Sequence, residues 1–116
     1  MTKRIADLRT LADLVRDRDL AILAAVAREV SAIEARLAVL AREVSARSAA
    51  LRDLPEGDAA LAAGVDARWL AHVDRQRAAL RQDLALALAR HENARAGALR
   101  ALGRADVLAR LAGDHG

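Results

Sequence analysis

Apolar residues recur in steps of three and four along almost this entire 116-residue chain, and the pattern is clearly broken once, at Pro55 and Gly57. That spacing is typical of a coiled-coil interface. Proline disfavours helix in the residue before it, and glycine permits a tight turn. The sequence therefore predicts an all-α fold, two long helices forming an antiparallel coiled-coil hairpin, as a single domain over 1–116. Helix one is expected at about 4–54, the turn at about 54–58 and helix two at about 58–112.

The alternative, an intermolecular coiled coil of uninterrupted helices, is disfavoured because Pro55 would kink each helix at its middle.

The same spacing predicts which residues form the helix–helix interface. In helix one they are Leu8, Ala12, Val15, Ile22, Val26, Val30, Ile33, Leu37, Leu40, Val44 and Leu51. In helix two they are Val65, Trp69, Val73, Gln76, Leu80, Leu84, Ala87 or Leu88, His91, Ala94, Ala98, Leu102, Ala105 and Leu108. Asp19 stands where an apolar residue is due, and the register shifts between Val26 and Ile33. Asp58 is the expected N-cap of helix two, and Gly64 delays a firm helix to about Val65.

The chain is 54% hydrophobic but only 1% aromatic, with Trp69 as its single aromatic residue. A thick core normally depends on aromatic rings, because each one buries a large area. A chain limited to Ala, Leu and Val suits a thin interface between two helices. Trp69 itself has two interpretations that remain open, a large interface residue near the turn or an anchor for a protein partner.

Charge and composition disfavour several classes of protein. The 19 basic and 16 acidic residues alternate, as in the segment 16–19, which is typical of a solvated helix face and argues against a nucleic-acid partner. No apolar run approaches the roughly 20 residues needed to span a bilayer, and Asp7 and Arg9 interrupt any signal-peptide core. With no cysteine, the chain is expected to be cytoplasmic and to reach a membrane only peripherally, through partners.

The sequence contains no recognisable catalytic or metal-binding motif. The glycines are scattered, so no phosphate-binding loop is present. His91-Glu92 begins like a zinc-protease helix, but Arg95 occupies the position of the second histidine ligand. His72, His91 and His115 are far apart in sequence, and a two-helix fold offers no cleft around a serine nucleophile. We therefore expect a protein that is not an enzyme and has no cofactor or metal.

The arrangement resembles a known family. Two long helices poor in aromatics, with a tryptophan early in helix two and spaced arginines after it, are similar to the FliJ/YscO-like stalk proteins of flagellar and type III secretion export ATPases. The resemblance lies in segments 68–77, 90–95 and 98–104, with Leu80 and Leu84 between them. It covers most of the chain as a pattern, although this chain is shorter and richer in interface alanines than typical members.

The resemblance implies a non-enzymatic coiled-coil stalk subunit of flagellar or injectisome protein export. Its paired terminal ends would bind and stimulate a hexameric export ATPase, and its turn end would face the membrane export gate. By position, the residues that would meet acidic loops of the ring are Lys3, Arg4, Arg9, Arg100, Arg104 and Arg110. Those near the gate-binding face would be Leu40, Val44, Trp69, Val73 and Leu80. The alternative is a generic helical adaptor or scaffold in another complex.

Overall fold

A computed structural model of the chain describes residues 2–114, and over that range it contains two helices and no strand. Helix α1 is Thr2–Arg52 and helix α2 is Glu56–Asp114. The helices pack against each other as a hairpin, so the predicted all-α fold is confirmed. Both helices are continuous, and α2 passes through Gly64 and Gly103 without interruption. Gly64 therefore does not delay the start of α2, contrary to the sequence-based expectation.

The turn is shorter than expected and lies slightly earlier. The amides of Asp53 and Leu54 each donate to the carbonyl three residues before, at 3.3 Å, which closes α1 with a tightened last turn. The carbonyl of Pro55 then accepts the first hydrogen bond of α2, from the amide of Ala59 at 2.9 Å. The expectation that Asp58 is the N-cap is therefore wrong. Asp58 lies in the first turn of α2, where a carboxylate still offsets the positive end of the helix dipole.

The chain divides into two compact units, each containing part of both helices. The terminal unit is the chain up to Val30 together with the chain from Ala87 onward. The turn unit is Ser31–Leu86 and contains the reversal of chain direction. Each unit has its own interface between α1 and α2, and the residues in those interfaces differ.

In the terminal unit, small side chains form the centre of the interface. Its buried apolar residues are Val30, Ala87, Ala98, Ala101 and Ala105. At two places in α2 the smaller of two adjacent residues is the buried one, and only the first was predicted as a choice between the two. Ala87 is buried while Leu88 is exposed, and Ala101 is buried while Leu102, which was predicted, is exposed.

The register of α1 in the terminal unit also differs from the prediction. Leu23 is partly buried, whereas the predicted Ile22 is exposed. The interface positions of α1 therefore follow in two steps of four, from Val15 through Asp19 to Leu23, and then alternate between three and four up to Val44. The register shift lies there, and not between Val26 and Ile33 as predicted. Asp19 fits the interface because Gly97 is nearby: a Cβ on Gly97 would lie 4.0 Å from an oxygen of the Asp19 carboxylate. Leu8, also predicted to be an interface residue, is 46% exposed.

In the turn unit, larger side chains form the centre of the interface. Leu40 and Val73 are each only 2% exposed, and the interface positions three or four residues before and after them on each helix are partly buried. Val65, predicted to be inside, is exposed, and its neighbour Asp66 is buried instead. A buried carboxylate requires a partner, which Arg47 supplies from α1.

Candidate protein-binding site

An apolar groove of about 660 Å³ runs between α1 and α2 in the terminal unit. It lies on one side of the helix pair and is open to solvent along its length. Its lining residues from α1 are Leu8, Leu11, Ala12 and Val15, and those from α2 are Arg100, Ala101, Gly103, Arg104, Val107 and Leu108. The groove extends for about two helical turns on each helix, or roughly 10–12 Å at 1.5 Å per residue.

The groove exists because its base is made of small residues and its edges of large ones. Ala12 and Ala101 lie near the line where the helices meet, and Ala101 is fully buried. Leu11 and Val107 border the groove and remain 58% and 54% exposed. Two helices alone cannot cover side chains placed at the outer edge of their contact. Full burial of a leucine or valine side chain is worth roughly 1.5–3 kcal/mol, and these two residues, a little more than half exposed, forgo about half of that.

Exposed apolar residues are concentrated in the terminal unit. Among the residues that the structure describes, ten large apolar side chains are exposed there, against four in the turn unit. The ten are Leu8, Leu11, Leu14, Leu20, Ile22, Leu88, Leu99, Leu102, Val107 and Leu111. Single exposed leucines are ordinary, whereas a contiguous apolar surface marks an interaction site. Leu8, Leu11 and Val107 of this set line one groove, which makes the terminal unit the stronger candidate for binding another protein.

Two arginines border the groove. Arg100 and Arg104 are four residues apart on α2, so their like charges are neighbours on the helix surface. Within residues 2–114 neither forms an ion pair at 4 Å or less. The Arg100 guanidinium and the Asp19 carboxylate each lie 4.0 Å from where a Cβ on Gly97 would be, but the ion pair that Asp19 forms is with Arg18, at 3.0 Å. The groove therefore has a positive edge whose two arginines form no ion pair of 4 Å or less among the described residues.

The start of α1 adds further positive charge to the terminal unit. Lys3 and Arg4 lie in the first turn of α1, which has no acidic residue to offset the positive end of the helix dipole. The segments 2–15 and 100–111 together contain six basic and three acidic residues. Two of those acids are already paired, Asp13 with Arg16 and Asp106 with an arginine one turn later. The free charge at this end is consequently positive.

The remaining arginines of the predicted ring-binding set differ from one another. Arg9 is exposed in α1, outside the residues that line the groove. Arg110 is also exposed but binds Asp106, with 2.8 Å between the guanidinium nitrogen and the carboxylate oxygen. Arg110 is therefore less available to a partner than Arg100 or Arg104. All six predicted residues are in the terminal unit, as are the groove residues.

The predicted gate-facing set lies in the turn unit, and two of its members are inside it. Leu40 and Val73 are buried between the helices and present almost no surface to a partner. Val44 and Leu80 are partly buried at neighbouring interface positions. Only Trp69 of this set borders a surface depression, together with Glu43, Ala46 and Arg47. These five residues therefore do not form one exposed surface, and their predicted position near a gate-binding face stays a prediction.

A cluster that sequence reasoning missed links the two helices in the turn unit. The Arg47 guanidinium donates to the Asp66 carboxylate across 2.7 Å, and its carbon lies 4.3 Å from the centroid of the Trp69 ring. Asp66 is only 6% exposed, so Arg47 both neutralises a buried carboxylate and stacks on the indole. Asp66 and Trp69 are three residues apart on one helix, a spacing that could have suggested a shared partner. Trp69 thus contributes to the interface between α1 and α2, and it also borders the surface depression.

The histidines and the carboxylates of the described part of the chain do not cluster as metal ligands would. Residues 2–114 contain no group of three His, Asp or Glu side chains that could hold a metal ion. His72 is exposed and His91 is partly buried at an interface position, while His115 lies outside the described range. No helix in that range is long and apolar enough to cross a membrane. The surface features described above, the apolar groove with its two arginines and the depression beside Trp69, are of the kind that contact another protein.

Comparisons of the chain with protein-family models, with curated proteins and with solved structures found no significant match.

Proposed function

We propose that this protein is a non-enzymatic helical hairpin that binds another protein through its terminal unit. One observation carries this proposal. The terminal unit buries mostly alanines between its helices and leaves ten large apolar side chains exposed in the described range, three of which line the groove bordered by Arg100 and Arg104. A hairpin that only had to fold would gain stability from the reverse arrangement, because leucine buries more area than alanine. The present arrangement favours binding at a cost in the stability of the isolated chain.

The partner we propose is the ring of an export ATPase, with the hairpin as its stalk. The support is the sequence resemblance to FliJ/YscO-like stalk proteins together with the charge of the terminal unit. Lys3, Arg4, Arg100 and Arg104 are exposed there, as a contact with acidic loops of a ring would require. On this proposal the protein acts in the cytoplasm and is brought to the export gate at the membrane by its turn end, with Trp69 as the accessible contact.

The decisive measurement is the rate of ATP hydrolysis by the export ATPase of the same organism, with and without this protein. We expect stimulation under conditions in which the ring assembles, and weaker stimulation at high salt, because exposed charges are screened beyond about 10 Å at 0.1 M. Changing both Arg100 and Arg104 to Glu should abolish most of it. Arg95→Glu is the matched control, because Arg95 is an exposed arginine of the same helix that does not line the groove.

The alternative is a helical adaptor of a different complex. It rests on the same exposed groove, which would serve any partner of suitable shape and charge. Absence of stimulation by the wild-type protein, with an assembled and active ring, would exclude the stalk and leave the adaptor. Stimulation that is equally sensitive to Arg95→Glu and to the Arg100/Arg104 change would instead mean that overall charge, and not this surface, acts on the ATPase.

A further inference from the structure

The groove of the terminal unit has the dimensions of a helix-binding site. Its α1 edge runs from Leu8 to Val15, two turns apart, which matches the reach of anchors at positions i, i+3, i+4 and i+7 of an approaching helix. Its base is lined by Ala12, Ala101 and Gly103, whose small size allows a helix backbone to approach closely. Apart from the adjoining residues and the nearby backbone of α2 itself, no atom lies within 4 Å of where a Cβ on Gly103 would be, so space is open at that point.

The charge around the groove selects the kind of helix that fits. Arg100 and Arg104 border the groove without an ion-pair partner in residues 2–114, and Lys3 and Arg4 lie toward the same end of α1. A second copy of this chain would bring the same arginines against them, and like charges at an interface are unfavourable. A helix with an apolar stripe and glutamate or aspartate beside it would bury the groove leucines and pair both arginines.

We propose that the terminal unit binds one acidic amphipathic helix of a partner protein in this groove and forms a three-helix bundle with it. The inference deepens the proposed function, on which it rests for the existence of a protein partner, by naming the binding mode and the chemistry of the contacting segment. The anchors would be apolar residues that contact Leu11, Val15 and Val107. The acidic residues would be those that face Arg100 and Arg104.

The test uses the full chain and three synthetic peptides of about 20 residues, long enough to form a helix on binding. The first carries leucine in the i, i+3, i+4, i+7 pattern with glutamate beside it. The second has lysine in place of glutamate, and the third contains the residues of the first in an order without a stripe. Binding is measured by fluorescence anisotropy of the labelled peptide, and helix formation by circular dichroism. We expect saturable binding of the glutamate peptide, at least about tenfold weaker binding of the lysine peptide, and none of the scrambled one.

Variants locate the site. Leu11→Ser with Val107→Ser should weaken binding about tenfold or more, because both side chains would be buried by the helix. Leu99→Ser is the matched control: Leu99 is 55% exposed in the same unit but outside the groove, and its loss should leave affinity unchanged. Changing Arg100 and Arg104 to Glu should make the lysine peptide the preferred ligand. A variant that merely unfolded would bind neither peptide. A change of preference from the glutamate to the lysine peptide therefore shows that the two substitutions act at the binding site and do not simply unfold the protein.

Three results would overturn the inference. One is failure of the glutamate peptide to bind the folded chain, and another is equal loss of binding from Leu99→Ser and from the groove variant. The third is a dimer in sedimentation equilibrium that Leu11→Ser dissociates, since a second copy would then occupy the groove. The outcome is separable from that of the ATPase assay. If the protein stimulates the ATPase but binds no peptide, the stalk function is supported and the helix-binding site is excluded. If it binds the glutamate peptide but does not stimulate the ATPase, the helix-binding site is supported and the stalk function is excluded.

Discussion

The terminal unit and the turn unit are similar in length and are built from the same two helices, yet they bury different residues. The terminal unit buries four alanines and Val30, and exposes ten large apolar side chains in the described range. The turn unit buries Leu40 and Val73, adds the Arg47–Asp66 ion pair, and exposes four. Helices with alanine between them approach closely but gain little buried area. The comparison indicates that the turn unit contributes more to folding and the terminal unit more to binding.

The largest expected effect is on the apolar centre of the turn unit. Leu40→Ala should lower the free energy of unfolding by about 2–5 kcal/mol, since Leu40 is almost completely buried and a cavity would remain. Leu11→Ala, an equally large truncation in the terminal unit, should cost about 0.5 kcal/mol or less because Leu11 is exposed. Urea denaturation followed by circular dichroism measures both. Equal losses would contradict the division of roles between the units.

A smaller effect is expected from enlarging a residue at the alanine interface. Ala98→Leu should destabilise the protein by about 1–3 kcal/mol, because Ala98 is 1% exposed and the extra atoms would force the helices apart. Ala89→Leu on the same helix is the control, since Ala89 is exposed. Hydrogen exchange followed by mass spectrometry would show where protection is lost. If Ala98→Leu proved stabilising, the helices of the terminal unit would not be held at the close distance that alanine permits.

The smallest effect concerns the ion pair of the turn unit. Arg47→Ala should cost about 1–2 kcal/mol, because it leaves the buried Asp66 carboxylate without its partner. The value stays below that of a fully buried pair because the Arg47 side chain is 44% exposed. The fluorescence of Trp69, the single tryptophan, should change as the guanidinium leaves its ring.

Arg47→Lys provides the control for this pair. Lysine keeps the charge but lacks the planar guanidinium, so it should recover part of the stability while the fluorescence stays altered. A variant Arg47→Ala as stable as the wild type would mean that water satisfies Asp66, and that the turn unit depends on its apolar residues alone.

Much of the fold followed from residues close together in sequence. The steps of three and four determined the helices, and Pro55 determined where α1 must end, because both are properties of a few neighbouring residues. The start of α2 was placed two residues late, since whether Pro55 or Asp58 precedes the first helical turn depends on which carbonyl accepts the first hydrogen bond. The positive character of the chain ends was likewise readable from Lys3, Arg4 and Arg104.

Only the tertiary structure decided which of two adjacent residues faces the partner helix. At 100° per residue, Ile22 and Leu23, Val65 and Asp66, or Ala101 and Leu102 can each meet the other helix, and a local pattern does not distinguish them. The choice depends on the side chain opposite and on how closely the helices approach, as with Asp66 beside Arg47 and Asp19 beside Gly97. The groove has the same origin. It appears because α1 and α2 meet at alanines, and the distance between two helices is a property of the pair that neither helix carries alone.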